Sequence, residues 1–378
     1  MTTTKYWESQ DDFNRSLERA IEGSRIEQGR FKEAITSDQL APFFNAAVQP
    51  TFEQEYADLR EEQIYPLISS QLALNDFRPA EFIQLQSEAD KQLIDNGGMP
   101  TPSGALPLIP ELTPYPTFGY TGTGRFIDTK KFGARIQFSF EAFINDQWHL
   151  IERFPADAAR LAKNTEDVAV LLQLFTGGAL DSTVFNDSLK TTLQPYNDTA
   201  IVTAPVAKNA PLSHDALEAA LHQVATTKRN GRTVTVPGGF VLLVPPALER
   251  LAKMIVETMV IERTQGNIKY VTNNTLPQQI EVVASEWVSQ LATDTTWVLL
   301  PKGGKTSART TLVKTSLRGY ETPELRVHNN TGMYLGGGAV NYTDGSFDND
   351  DAQARVRLIT GSGLVAVDGI VGSTGLGS

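Results

Sequence analysis

The segment from Gly97 to Gly124, GGMPTPSGALPLIPELTPYPTFGYTGTG, limits what this chain can fold into more than any other stretch. Proline removes backbone donors and glycine raises the entropic cost of ordering, so a regular helix or a long uninterrupted strand is not expected here. Yet Leu106, Leu108, Ile109, Leu112, Tyr115, Phe118 and Tyr120 give it more apolar surface than a solvated tether carries. Loops longer than about 12–15 residues are uncommon inside compact domains and are usually functional or disordered. The seven side chains need cover, either from the chain's own domain or from a neighbouring copy. They are the candidate inter-subunit contacts.

The rest of the composition narrows the classes. With 378 residues, 40% hydrophobic and 20% charged, the chain is globular and has room for two domains, or one domain with extensions. The net charge of −11, from 33 Lys+Arg against 44 Asp+Glu, disfavours a protein that grips nucleic acid directly, because that task needs clustered cations. Basic residues never run longer than pairs such as Lys130–Lys131. A container for nucleic acid is not excluded, since its wall need not bind tightly. No run reaches the roughly 18–20 apolar residues of a membrane span. The opening MTTTKYWESQDDFNR lacks the basic and apolar regions of a secretory signal. With no cysteine, disulfides and thiolate metal sites are excluded.

Along the chain, residues 9–36 and 50–73 carry charged, sparsely apolar helical patterns, the second broken at Pro66. Lys131–Phe143 alternates with period two, as a half-buried strand does. Asn145 or Asp146 then supplies a cap for the longest helical signal, Asp146–Phe175, with Pro155 inside it and Gly177–Gly178 after it. Between 180 and 300 strands and helices alternate: a helix after Ser213, the strand Phe240–Val244, a helix Ala247–Ile261, and strands at Val282–Ser285 and Trp297–Leu300. Beyond Pro301 the pattern is strands and turns, at Arg309–Leu317, Glu324–Val327, Gly332–Val340, Arg355–Thr360 and Gly363–Val371.

Catalytic and cofactor motifs are missing. His149, His214, His222 and His328 show no metal-ligand spacing. Gly303-Gly304-Lys305-Thr306 resembles the end of a phosphate loop, but Leu299 stands where the motif requires glycine. The acidic turn Asp344, Asp348, Asn349, Asp350, Asp351 departs from calcium-loop spacing and reads as a solvated turn. No catalytic residue, cofactor or metal is expected, so an enzyme reading has no positive support.

Taken in order, several stretches resemble a tailed-bacteriophage major capsid protein of the Hong Kong 97 fold, near the Mu-like head subunits. They are IPELTPYPTF, FSFEAFINDQWHLIERFPADAARLAKNTEDVAVLLQLF, PGGFVLLVPPALERLA, GYETPELRV and the tail GSFDNDDAQARVRLITGSGLVAVDGIVGSTG. The resemblance implies an α+β chain with N-terminal arm and helices (1–80), an extended E-loop (81–133), a peripheral domain with a long spine helix (134–179), an axial domain (180–310) and a return to the peripheral domain (311–378). It further implies hexamers and pentamers of an icosahedral virion shell around double-stranded DNA, assembled in the bacterial cytoplasm, with no membrane partner. Scaffolding, portal and decoration proteins would be separate partners. Some family members join subunits by Lys–Asn isopeptide bonds; Lys130 or Lys131 stands in place for a donor, and no motif singles out an asparagine. On this picture Leu161, Val168, Leu172 and Phe175 of the spine face the sheet of C-terminal strands. The alternatives are an encapsulin-type nanocompartment shell and a soluble α/β enzyme.

Overall fold

The computed structural model describes residues 48–378 apart from 61–63, 85–90, 95–108, 116, 121–122, 140–149, 187–189, 230–231, 234–235, 237, 266–267, 275, 277–279, 303–309, 329–332, 334, 336–345 and 378. Helix α1 (Val48–Arg60) precedes a 3-10 turn at Tyr65–Leu67, which Pro66 opens, and then β1 (Ile68–Leu74). The α-helix within the pattern expected over 50–73 therefore ends at Arg60, and the β-forming ISSQLAL stretch after the 3-10 turn is a strand. Next come β2 (Ala80–Gln84), β3 (Lys91–Ile94), β4 (Thr117–Tyr120), β5 (Thr123–Ile127) and β6 (Lys130–Ser139). Helix α2 (Leu150–Leu171) is followed by the small strands β7 (Phe175–Thr176) and β8 (Ala179–Leu180). After α3 (His214–Thr226) come β9 (Lys228–Arg229), β10 (Arg232–Thr233), β11 (Phe240–Val244) and α4 (Pro246–Glu257). The chain continues with β12 (Val260–Gln265), β13 (Ile268–Asn273), β14 (Ile280–Ala284), α5 (Glu286–Leu291) and β15 (Trp297–Pro301). It closes with β16 (Leu312–Leu317), β17 (Glu324–Val327), β18 (Asp351–Leu364) and β19 (Val371–Ser373).

The architecture is α+β, and the chain divides into two compact units. The larger holds residues 57–132, 161–323 and 358–378. Its central sheet runs β14-β11-β15-β19, with β11 parallel to β14 and antiparallel to β15. FVLLV and WVLLP are buried at every position, the mark of strands covered on both faces. Alternate residues serve alternate sides. Phe240, Leu242, Val244, Trp297 and Leu299 pack with α3 and α4, whereas Val241, Leu243, Val298 and Leu300 pack with Val170, Leu171, Leu174 and Phe175. Ser213 caps α3 by accepting from the Ala216 amide at 3.1 Å. In the same unit β1 runs parallel to β16, with a register shift at Ser69. The Ser69 hydroxyl replaces the lost ladder bonds, donating to the Leu312 carbonyl at 2.7 Å and accepting from the Thr311 amide at 2.8 Å.

The segment opened by β2 is a two-stranded antiparallel arm: β2 pairs β5, from Ala80↔Ile127 to Gln84↔Thr123, and β3 pairs β4, from Lys91↔Tyr120 to Ile94↔Thr117. Short strands thus enter the Pro/Gly-rich stretch where it is free of proline.

The smaller unit holds 133–160 and 324–357 with the chain up to Tyr56. Here β17 and β6 pair with β18. Leu325, Ala354 and Val356 are buried, and Phe138 meets Phe154 edge-on at 5.6 Å. The two strands expected at 355–360 and 363–371 are one continuous strand to Leu364: Gly361 lies against the Asp128 carbonyl and the Thr315 hydroxyl, and Gly363 against the Ile127 side chain, rather than at a turn.

Candidate intersubunit surfaces

Helix α2 is, at 22 residues, the longest helical element among the described residues, and it contains Pro155. It stops at Leu171, four residues before the expected end. The Gln173 and Leu174 amides bond back three residues, tightening the chain into a turn before Gly177 and Gly178.

The buried side of α2 overturns an expectation. Leu161 and Leu172 are 52% and 48% exposed, and Val168 is half-buried. Phe175 alone of the expected stripe is buried, and it lies beyond the helix. What faces inward is Ala162, Lys163, Glu166, Asp167 and Val170. Lys163, Glu166 and Asp167 share one helical face by their three- and four-residue spacing. The Lys314 ammonium of β16 meets the Glu166 carboxylate at 2.6 Å, with both side chains 6% exposed. Lys163 pairs with Asp167. Burial pushes the Asp167 carboxyl above its usual range, and the Lys163 charge pulls it back. Two cations and two anions neutralise one another around a void of only about 10 Å³, so the charged side of the helix can sit inside.

The apolar side is left outside. Leu161, Val168 and Leu172 line a groove of about 440 Å³ with Phe132 and Trp287, and Lys130 stands on its rim. An exposed apolar groove of this kind is suited to being covered by a partner. Buried alanines beside Lys163 were the signal in the sequence: small residues at 158, 159 and 162 mark the side that approaches a neighbour.

Of the seven residues singled out above, Leu106 and Leu108 lie outside the described residues. Phe118 and Tyr120 fall in β4, opposite Leu93 and Lys91. Ile109 is half-buried. Leu112 is 105% exposed and Tyr115 83% exposed. Leu112 holds a φ of 61°, where a turn carries it away from the chain, and the Thr113 amide bonds the Pro110 carbonyl across that turn at 3.3 Å. A leucine on the turn and a tyrosine just beyond it, both bare, are suited to insertion into a partner.

Other chemistry is sparse. Among the described residues no group of His, Asp or Glu is arranged to hold a metal ion. His214 lies 3.9 Å from Asp215 and 3.8 Å from Glu218, whereas His222 stacks on Tyr196. The acidic turn is built around Asp351, whose carboxylate accepts from Ser346, Gln353 and Gln137. Those bonds, Ser346 first, hold it below the usual carboxylate range. Residues 303–306 lie outside the described residues. Among the described residues no helix is long and apolar enough to cross a membrane.

The family model described as phage capsid protein matches residues 122–371. No curated protein matches the chain. Among solved structures, a virus-like particle from Pyrococcus furiosus is similar at 9% identity, covering 86% of this chain and 98% of its own, with a TM-score of 0.43. A chain of Microbacterium phage Oxtober96 is similar at 11% identity, covering 82% and 91%, with a TM-score of 0.44. One of Mycobacterium phage Patience is similar at 10% identity, covering 90% of each chain, with a TM-score of 0.41.

Proposed function

The chain belongs to the phage capsid protein family, and from that premise we propose that it is the major head subunit, a structural protein whose copies form the hexamers and pentamers of an icosahedral shell around double-stranded DNA. The nearer kinship to Mu-like head subunits and the Hong Kong 97 plan of arm, E-loop, peripheral and axial domains belong to this proposal. So do assembly in the host cytoplasm and separate scaffolding, portal and decoration partners.

One observation carries the reading: the long helix buries Lys163, Glu166 and Asp167 and exposes Leu161 and Leu172, while an arm of the same chain exposes Leu112 and Tyr115. In the shell, the arm of one copy covers the α2 groove of its neighbour. Burial there is worth about 25 cal/mol per Å² of apolar area, modest for each contact and multiplied around a closed lattice. Modest contacts also let misplaced subunits leave. Light scattering of the purified chain tests this. Leu112→Asp and Leu172→Asp should each abolish high-mass assemblies while the monomer keeps its thermal midpoint. Assemblies that survive both substitutions would refute the reading.

A further inference from the structure

The chemistry of the α2 groove limits what fills it. Two aromatic rings, Phe132 and Trp287, lie beside Leu161, Val168 and Leu172, and the side-chain amides of Asn164 and Gln173 bring N–H donors to the same groove. Its volume of about 440 Å³ falls in the range of roughly 300–1,000 Å³ that suits a compact ligand. The walls come from residues 128–132, 161–173, Trp287 and 360–362, stretches whose backbone is described throughout. An apolar groove with aromatic rings and amide donors is the kind that takes a proline-rich segment in polyproline II form.

The chain carries such a segment. In Thr113-Pro114-Tyr115-Pro116 each proline holds its φ at about −65°, and Thr113 and Tyr115, each preceding a proline, are pushed toward extended or polyproline II backbone. Every position is therefore constrained before binding, so little chain entropy is lost on docking. Polyproline II makes no internal hydrogen bonds and leaves its carbonyls for a partner's donors. Leu112 and Tyr115 stand three residues apart, the repeat of that helix, which sets them along one edge. Pro110 to Tyr115 are exposed throughout, and Leu161 and Leu172 of the groove are about half exposed, so one copy does not fill its own groove. Charge adds direction. The charged side chains lining the groove are Lys130 and Asp128, and the Glu111 carboxylate is drawn to the first and repelled by the second.

We propose that the α2 groove is a polyproline II receptor for the Pro110–Pro116 segment of a second copy, with Tyr115 on the Phe132 and Trp287 rings and Leu112 against Leu161 and Leu172. This rests on the shell reading above and adds to it the recognition mode. A free peptide of the same sequence is then a ligand of the chain and a competitor of its assembly.

The probe is the labelled peptide IPELTPYPTF, residues 109–118. The receptor is the full chain carrying Leu112→Asp, whose own segment is disabled while its groove is untouched. Fluorescence anisotropy should show saturable binding, weakened at least tenfold when Leu172→Asp is added without change in thermal midpoint. Replacing Pro114 and Pro116 of the peptide by alanine keeps Leu112 and Tyr115 and should also weaken binding at least tenfold. Excess unlabelled peptide should suppress assembly of the wild-type chain. Alanine-substituted or reversed-order peptide that binds as tightly as the parent would overturn the recognition mode, and so would absence of binding to the Leu112→Asp chain. If the wild type nevertheless assembles and Leu172→Asp does not, the shell reading stands without it. A wild-type chain that never assembles would contradict the shell reading, and peptide binding would still report on the groove.

Discussion

Replacing Lys314 by methionine should cost far more than removing a surface lysine. Lys314 meets Glu166 at 2.6 Å where both side chains are 6% exposed, and the field of Lys314 also reaches Asp167. Its removal leaves two adjacent carboxylates on α2 with Lys163 as the one cation of the quartet. Breaking a buried pair from one side costs about 3–5 kcal/mol, because the remaining charge is desolvated without compensation. For a unit of this size each kcal/mol moves the midpoint by about 2–4 °C, so the loss should be about 6–20 °C. Substituting all four residues together, Lys163→Met, Glu166→Leu, Asp167→Leu and Lys314→Met, removes the desolvation cost as well. That chain should be as stable as the wild type or up to about 4 kcal/mol more so. Urea unfolding of the unassembled chain, followed by the fluorescence of buried Trp297, reads both variants. A loss below about 1 kcal/mol for Lys314→Met, or a fourfold variant as damaged as the single one, would refute the reasoning.

Gly361→Ala should destabilise the larger unit by about 1–3 kcal/mol, since a Cβ there would lie 2.1 Å from the Asp128 carbonyl oxygen and 2.5 Å from the Thr315 hydroxyl; thermal unfolding checks it. Asp351 is held below its usual pKa, so its contribution is present above the unfolded value of about 3.8 and is lost as pH falls toward the folded one. Asp351→Asn should therefore lower stability at neutral pH and flatten that acid-side loss, as urea midpoints across pH 2–7 would report.

Much of the fold was legible because its signals are local. The buried runs FVLLV and WVLLP, the Ser213 cap and the period-two stretch from Lys131 each give their element away without knowledge of the rest of the chain. The inward face of α2 was not legible. Leu161, Val168 and Leu172 make a good apolar stripe, and the rule that charges face water assigns Lys163, Glu166 and Asp167 to solvent. That rule fails when the charges are paired, and the decisive partner, Lys314, is some 150 positions away in sequence. For the same reason the pairing of β17 with β18 stayed hidden: Arg326 and Arg355 are 29 residues apart until the ladder sets them side by side. The arm was half legible. Its exposed Leu112 and Tyr115 follow from proline density, whereas the ladders on either side of it depend on pairing with residues 80–94.

Electron microscopy of the purified full chain, with nucleic-acid content measured on the same particles, tests the central claim most directly. The account predicts closed shells of uniform size, filled with double-stranded DNA when taken from infected cells. Uniform shells that hold a protein cargo in place of DNA would indicate a nanocompartment, and a chain that stays monomeric at every concentration would contradict the account altogether.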